Sequence, residues 1–375
     1  MDVQGATRHP MSIFTGKRIA FRADASVQIG NGHIVRCLTL AAEFKTQGAE
    51  CLFISREHSG HAFNLIRQHG FHLHPLPDIA GDRQISSDRE SEYAEDSDAS
   101  QTAAHLAGWQ PDWLIVDHYG LNARWERRLR TSCNFLMVID DLAKRCHDCD
   151  LLLDQTLNRS PDHYANLAPE RCKLLLGQHY GILRPEFAQL RPYSLARRHA
   201  PRLRRVLITM GGTDQPNATG QVLDALKVSK LPDDCTITII MGAQAPWLEA
   251  VKHQAEEMHW NTEILVDVSN MAQLMADSDL AIGAVGGTAW ERCCLGLPTL
   301  MVILADNQKT GALALESIGA AKLLGSTESI RDNLPISLNM LLETPQELAI
   351  MSQRSSQLTD GLGVQNIFSE LGINL

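Results

Sequence analysis

The chain has 375 residues, which at roughly 150 residues per domain suggests about two domains. Its 44% hydrophobic and 21% charged content is that of an ordinary soluble protein able to bury a sizeable core. With 34 basic against 44 acidic side chains the formal charge is −10, which excludes a dedicated nucleic-acid surface but leaves room for a small anionic ligand held by local donors.

Short β-branched runs alternate with helical stretches. Residues 18–22 (RIAFR) read as a first strand, and Ile34, Leu38, Ala41 and Ala42 mark the inner face of the helix after it. Residues 51–54 form a second strand, followed by a helical stretch over 63–68. Buried-strand candidates follow at 113–117 (WLIVD) and 135–140 (FLMVID), with further strands at 151–154 and 173–176. A second series begins with strand 206–209 (VLIT), helix 218–226, strand 236–240 and helix 246–258. Strands 263–266, 280–283, 299–303 and 322–324 complete it. The alternation predicts an α/β protein with parallel sheets covered by helices. The expected organisation is two Rossmann-like domains, 18–190 and 203–345, with a cleft between them and a helical tail over 346–375. The Arg- and Pro-rich stretch 184–205 is the expected linker.

Residues 78–98 are polar and Ser-rich, with eight acidic and two basic side chains, so they carry −6 of the −10. A loop insertion is expected there, with a lid as the alternative. No apolar run approaches the ~18 residues of a membrane span, and residues 1–17 lack a signal-peptide core. The nine cysteines follow no disulfide framework, so a cytoplasmic location is expected. Cys146-His147-Asp148-Cys149 has CxxC spacing but no second ligand pair, and buried or incidental thiols are the expected reading.

Two glycine loops carry the chemistry. Gln28-Ile29-Gly30-Asn31-Gly32-His33 joins the first strand to its helix. Gly30 and Gly32 permit tight turns and close ligand approach. The dinucleotide fingerprint fails, because Val35 stands at its third glycine. His33 falls at the helix start, where the positive terminus favours a neutral imidazole able to take a proton from water. The plainer alternative is a histidine that packs the helix.

The second loop, Gly283-Ala284-Val285-Gly286-Gly287-Thr288, follows strand 280–282 and opens a helix whose free N–H groups suit a diphosphate. Glu291, one turn on, has a carboxylate suited to vicinal ribose hydroxyls. Plain turns and a solvated helix face are the alternatives. Gly211 and Gly212, in Met210-Gly211-Gly212-Thr213-Asp214, offer further backbone donors or simply turn the chain. Asn307 and Gln308 suit sugar hydroxyls or acetamido groups, while Asp306 or Asn307 equally suits a helix cap. Asp117-His118-Tyr119-Gly120 closes strand 113–117, where Tyr119 can orient a substrate and His118 is a candidate second acid or base. Asp140-Asp141 is a weak divalent-ion signal, and capping or sugar binding is preferred.

Phe21-Arg22-Ala23-Asp24, the His33 loop, Val116-Asp117-His118-Tyr119-Gly120, Asp140-Asp141, Met210–Asp214 and Gly286–Glu291 occur in an order that resembles the nucleotide-sugar hydrolases of pseudaminic acid biosynthesis. These are the UDP-2,4-diacetamido-2,4,6-trideoxy-β-L-altropyranose hydrolases, and the likeness spans about residues 18–325. It implies a GT-B fold, related to the glycosyltransferase that makes lipid II. It further implies UDP on Gly211, Gly212, Gly286, Gly287, Thr288 and Glu291. The sugar would meet Gly30, Gly32, Tyr119, Asn307 and Gln308, with His33 as the catalytic histidine. No metal and no cofactor are expected. The expected partner is the small-molecule UDP-sugar alone, with no nucleic acid and no membrane, and a monomer is expected to suffice. The stretch 1–17, the acidic segment and the tail after Gly325 depart from the pattern. Rival readings are a GT-B transferase, a hydrolase of a legionaminic-type sugar nucleotide, and a non-catalytic sensor. A membrane-active transferase would want a basic apolar patch, for which Arg197-Arg198 and residues 202–205 (RLRR) are the candidates.

Overall fold

The computed structural model describes residues 13–78 and 88–372. They form two compact units. The first holds the chain up to Asp154, Pro161–Leu175 and the residues from Gln365 on; the second holds Gln155–Ser160 and Leu176–Val364.

The first unit is built on strands β1 (Arg18–Ala23), β2 (Glu50–Arg56), β3 (His72–Leu76), β4 (Trp113–Asp117), β5 (Phe135–Ile139), β6 (Leu151–Asp154) and β7 (Lys173–Leu176). Their order is β3-β2-β1-β4-β5-β6-β7, and β1 runs parallel to both β2 and β4. Burial on both faces is why β5 reads as a continuous apolar run and β4 as one closed by Asp117. The strand order reverses between β1 and β4, so a crevice opens outside their carboxyl ends. β3 has no counterpart in the sequence reading. Its segment, His-Leu-His-Pro-Leu, lacks an apolar run and contains Pro75, which an edge strand tolerates.

Two expectations are corrected by helices. Residues 88–98 are not loop but the start of a helix, Asp88–Leu106. Its inward stripe is Glu95, Asp98, Ala99, Thr102 and Leu106, spaced three or four apart and mostly polar, so hydrophobic periodicity could not reveal it. The remainder of the acidic segment, 79–87, and the N-terminal stretch 1–12 lie outside the described residues. The expected linker contains the helix Pro185–Arg197, with Pro185 in its first turn, where a missing N–H costs nothing. In the helix Gly32–Thr46, Ala42 faces outward, while Cys37 and Phe44 join Ile34, Leu38 and Ala41 inside. Phe368 of the last segment packs on Phe14 and Phe44 at centroid distances of 5.2 and 4.4 Å.

The second unit has strands β8 (Arg205–Thr209), β9 (Thr236–Met241), β10 (Asn261–Val266), β11 (Leu280–Ala284), β12 (Thr299–Ile303) and β13 (Lys322–Ser326). All are parallel in the order β10-β9-β8-β11-β12-β13, with the reversal between β8 and β11. Val206, Ile208, Ile239 and Ile282 fill one side of this sheet, and Leu207, Ile240 and Ala281 the other. Among the described residues no helix is long and apolar enough to cross a membrane.

Candidate active site

In the first unit the chemistry gathers where β1 and β4 end. After β1 the chain turns through Ser26, whose carbonyl accepts the Gly30 N–H at 2.8 Å. Gly30 has φ +73°, a conformation that side chains with a Cβ rarely adopt, and Gly32 opens the helix with free space where a Cβ would stand. That turn puts His33 on the inner side of the first helical turn. Its Nδ1 lies 2.5 Å from Asp117 Oδ1, at the end of β4. Asp117 is fully buried and is also gripped by Arg36, with Nε 2.6 Å from Oδ2 and Nη2 2.6 Å from Oδ1. Burial alone would raise the Asp117 pKa; the Arg36 charge, helped by His33, instead holds it well below the usual carboxylate range. An ionised Asp117 accepts a hydrogen bond from Nδ1–H, leaving the His33 lone pair on Nε2. No hydrogen bond to Nε2 occurs among the described residues. Sequence reading singled out His33 but assigned Asp117 no role; its signal was a carboxylate ending a buried strand.

Tyr119 stands edge-on to His33, with ring centroids 4.6 Å apart, and its hydroxyl donates to Asp141 Oδ2 at 3.2 Å. Burial and Asp141 push the phenol pKa up, so Tyr119 stays a neutral donor. Asp141 also meets Arg36 Nη1 at 3.3 Å. Asp140 faces other groups: its oxygens accept from Arg145 Nη2 at 2.9 Å, the Ala143 N–H at 2.9 Å and the Tyr164 hydroxyl at 2.9 Å. The two neighbouring aspartates therefore serve separate networks.

His118, the candidate second acid or base, is held in the first unit by both ring nitrogens. Its Nδ1 accepts the Gly120 N–H at 2.9 Å, and its Nε2 lies 3.2 Å from Asp24 Oδ2, so both nitrogens are engaged. Asp24 sits in a buried ion network. Arg22 donates to it at 2.5 and 2.8 Å and to Asp98 at 3.1 and 2.6 Å, while Arg56 reaches Asp98 at 2.6 Å. In the CxxC segment Cys146 is exposed, whereas Cys149 is buried with its Sγ 3.5 Å from that of Cys172. His147 binds Glu126 through Nδ1 at 2.7 Å.

In the second unit, the two remaining loops leave β8 and β11. Asp214 turns back on its own loop and accepts the Ala218 and Thr219 N–H groups, each at 2.8 Å. That uses the first donors of the helix Ala218–Lys227, so Gly211 and Gly212 contribute only their loop backbone. The helix Gly287–Cys294 differs. Gly286 caps it without any side-chain bond, and both Gly286 and Gly287 face open space. Thr288 follows at its N-terminus, half-exposed. Glu291 is half-buried rather than on a solvated face, with Oε1 3.6 Å from Arg184 Nη2. Burial raises its pKa in spite of that arginine. Asn307 is exposed on the turn after β12, while Gln308 spends its side-chain oxygen on the Leu304 N–H at 3.0 Å. No side-chain cap from Asp306 or Asn307 forms.

The candidate basic patch is partly internal. Arg198 is buried and donates to the carbonyls of Leu295, Ser278 and Met275 and to Ser194 Oγ. Arg197 binds the Ala276 carbonyl at 2.7 Å and Asp279 at 2.9 Å. Both hold the helix Pro185–Arg197 to its own unit.

Comparison with known proteins agrees with this architecture. Residues 205–367 match the glycosyltransferase family 28 C-terminal domain. The UDP-2,4-diacetamido-2,4,6-trideoxy-β-L-altropyranose hydrolase of Campylobacter jejuni is 26% identical over 304 residues, covering 80% of this chain and 97% of that protein. A Helicobacter pylori protein named pseudaminic acid cytidylyltransferase and UDP-2,4-diacetamido-2,4,6-trideoxy-β-L-altropyranose hydrolase is 26% identical over 234 residues, 61% of this chain and 41% of that one. The crystal structure of MurG from Acinetobacter baumannii superposes with a TM-score of 0.67 at 17% identity, covering 96% of this chain and 100% of that chain. The chain thus has the GT-B fold and resembles the UDP-2,4-diacetamido-2,4,6-trideoxy-β-L-altropyranose hydrolases over four fifths of its length.

Proposed function

We propose that this protein is a nucleotide-sugar hydrolase that cleaves a UDP-2,4-diacetamido-2,4,6-trideoxy sugar, the altropyranose named for its relatives, to UDP and the free sugar. The observation that carries the reading is the His33–Asp117 contact of 2.5 Å beside an arginine-clamped, ionised carboxylate. Residues of the second unit bind UDP: Gly286, Gly287 and Thr288 through the open helix start, Gly211 and Gly212 through loop backbone, and Glu291 at the ribose. Residues of the first unit handle the water and sugar. His33 Nε2 takes a proton from water as its oxygen bonds to the anomeric carbon. The bond from that carbon to the diphosphate oxygen breaks, UDP leaves with the electron pair, and the centre inverts. Asp117 holds the His33 tautomer and balances the charge as imidazolium forms. Tyr119, whose proton goes to Asp141, accepts from a sugar hydroxyl, Gly30 and Gly32 let the sugar approach the backbone, and Asn307 and the Gln308 amide nitrogen meet its acetamido groups. No metal enters the scheme, because the leaving diphosphate is stabilised by backbone donors.

The family 28 match over residues 205–367 favours one rival, a transferase using the same UDP site with a different acceptor. Purified protein incubated with the UDP-sugar and no acceptor separates the readings. UDP release, with ¹⁸O from labelled water in the sugar, is the expected result. Release only after an acceptor is added indicates a transferase, and binding without release indicates a sensor.

A further inference from the structure

We infer that Arg292 is the buried counter-charge for a nucleotide diphosphate bound at the Gly286–Thr288 helix start, acting through the Thr288 hydroxyl. This rests on the UDP reading and adds to it a positioning residue that touches no ligand itself.

Arg292 is 1% exposed. Its Nη2 donates to the Ala284 carbonyl at 2.7 Å and its Nη1 to Thr288 Oγ1 at 3.3 Å, while its Nε has no partner. Among the described residues no carboxylate lies within ion-pair distance of it. The other buried arginines are better served. Arg22 and Arg56 are paired with aspartates, and every nitrogen of Arg198 meets an acceptor. Glu291 acts on it only at longer range; a buried charge without a direct carboxylate partner is costly, and the cost falls if an anion arrives beside it.

Its location says where that anion goes. Arg292 lies in the last turn of the helix Gly287–Cys294, yet its side chain runs back to the helix start. A cation there adds to the positive end of the helix dipole, which is unfavourable until negative charge binds in front. The guanidinium lies against Gly283 of β11, beside β8, where the strand order reverses: a Cβ on Gly283 would stand 2.8 Å from Nη1 and 2.8 Å from the Thr209 carbonyl. A side chain at Gly283 would crowd both the guanidinium and the Thr209 carbonyl. In front of the helix, Gly286 and Gly287 face nothing within 4 Å of a built Cβ. Since Thr288 Oγ1 accepts from Arg292, its own proton points elsewhere, and a phosphate oxygen at the open helix start would receive it.

The test uses the full chain, with UDP binding followed by calorimetry and uridine binding by saturation-transfer NMR. R292M is expected to weaken UDP about ten- to a hundredfold and leave uridine unchanged. T288V is expected to weaken UDP about two- to tenfold, and the double variant to be no weaker than R292M. Unchanged UDP affinity in R292M, equal losses for UDP and uridine, or additive effects in the double variant each overturn the inference. If R292M fails to fold, T288V decides: a loss confined to UDP supports the inference and no loss overturns it. Failure of the wild-type protein to bind UDP overturns the underlying UDP reading instead.

Discussion

Asp117 receives His33 and Arg36 on two oxygens inside a fully buried site, so in the proposed scheme it is no acid and serves to fix the imidazole. Loss of the base should therefore appear in turnover rather than in nucleotide binding. H33N is expected to lower kcat by about a hundredfold or more while UDP affinity, measured by calorimetry, is retained. Near-normal turnover by that variant would remove His33 from the mechanism. This site and the Arg22–Asp98–Arg56 network set an acid limit on stability. Asp117 and Asp98 have pKa values depressed below the ordinary carboxylate value of about 3.9 by their arginines, against the opposing effect of burial. Their contribution is complete above that value and is lost as pH falls through the folded-state pKa values. Thermal melting should accordingly be flat from about pH 5 to 6 and drop below about pH 4. A Tm that stays level down to pH 2 would contradict the ionised networks.

At the scale of elements, two side chains hold whole segments in place. Asp98 anchors the helix Asp88–Leu106 by accepting from Arg22, Arg56 and, at 2.9 Å, Trp125 Nε1. D98A leaves Arg56 without its carboxylate and Arg22 with Asp24 alone, and should cost about 3–5 kcal/mol, read from denaturant midpoints. A helix tied this way gives no support to the lid alternative for residues 88–98. His147 joins the turn after β5 to the helix Ala123–Leu129. Burial lowers its pKa, but Asp140 and Glu126 outweigh that and lift it to about 9. Its unfolded value is about 6.5, so its stabilisation is full below that and lost as pH rises through 9. The loss should reach about 3 kcal/mol at most, and H147Q should flatten the alkaline limb of the stability curve.

For the molecule as a whole, the net charge of −10 says little about the ligand. Six of those charges fall within 78–98, and Asp98 among them is internal. In the proposed scheme anion binding depends instead on open helix starts and on arginines placed by the fold. If the diphosphate is stabilised by those donors alone, exhaustive chelation should leave UDP release unchanged. Activity restored only by adding Mg²⁺ would redirect attention to Asp140 and Asp141.

The sequence by itself determined the parallel α/β architecture, because buried strands such as residues 113–117 and 299–303 are apolar on both faces and legible without long-range information. It also marked the glycine loops, since Gly30 and Gly211 meet a local demand for positive φ. Tertiary structure alone decided which charged residues are buried. Arg22 and Asp98, or His33 and Asp117, are 76 and 84 positions apart and read locally as ordinary polar residues. The helix from Asp88 stayed hidden for the same reason: its inward stripe is polar, and only a partner distant in the chain makes burying it favourable.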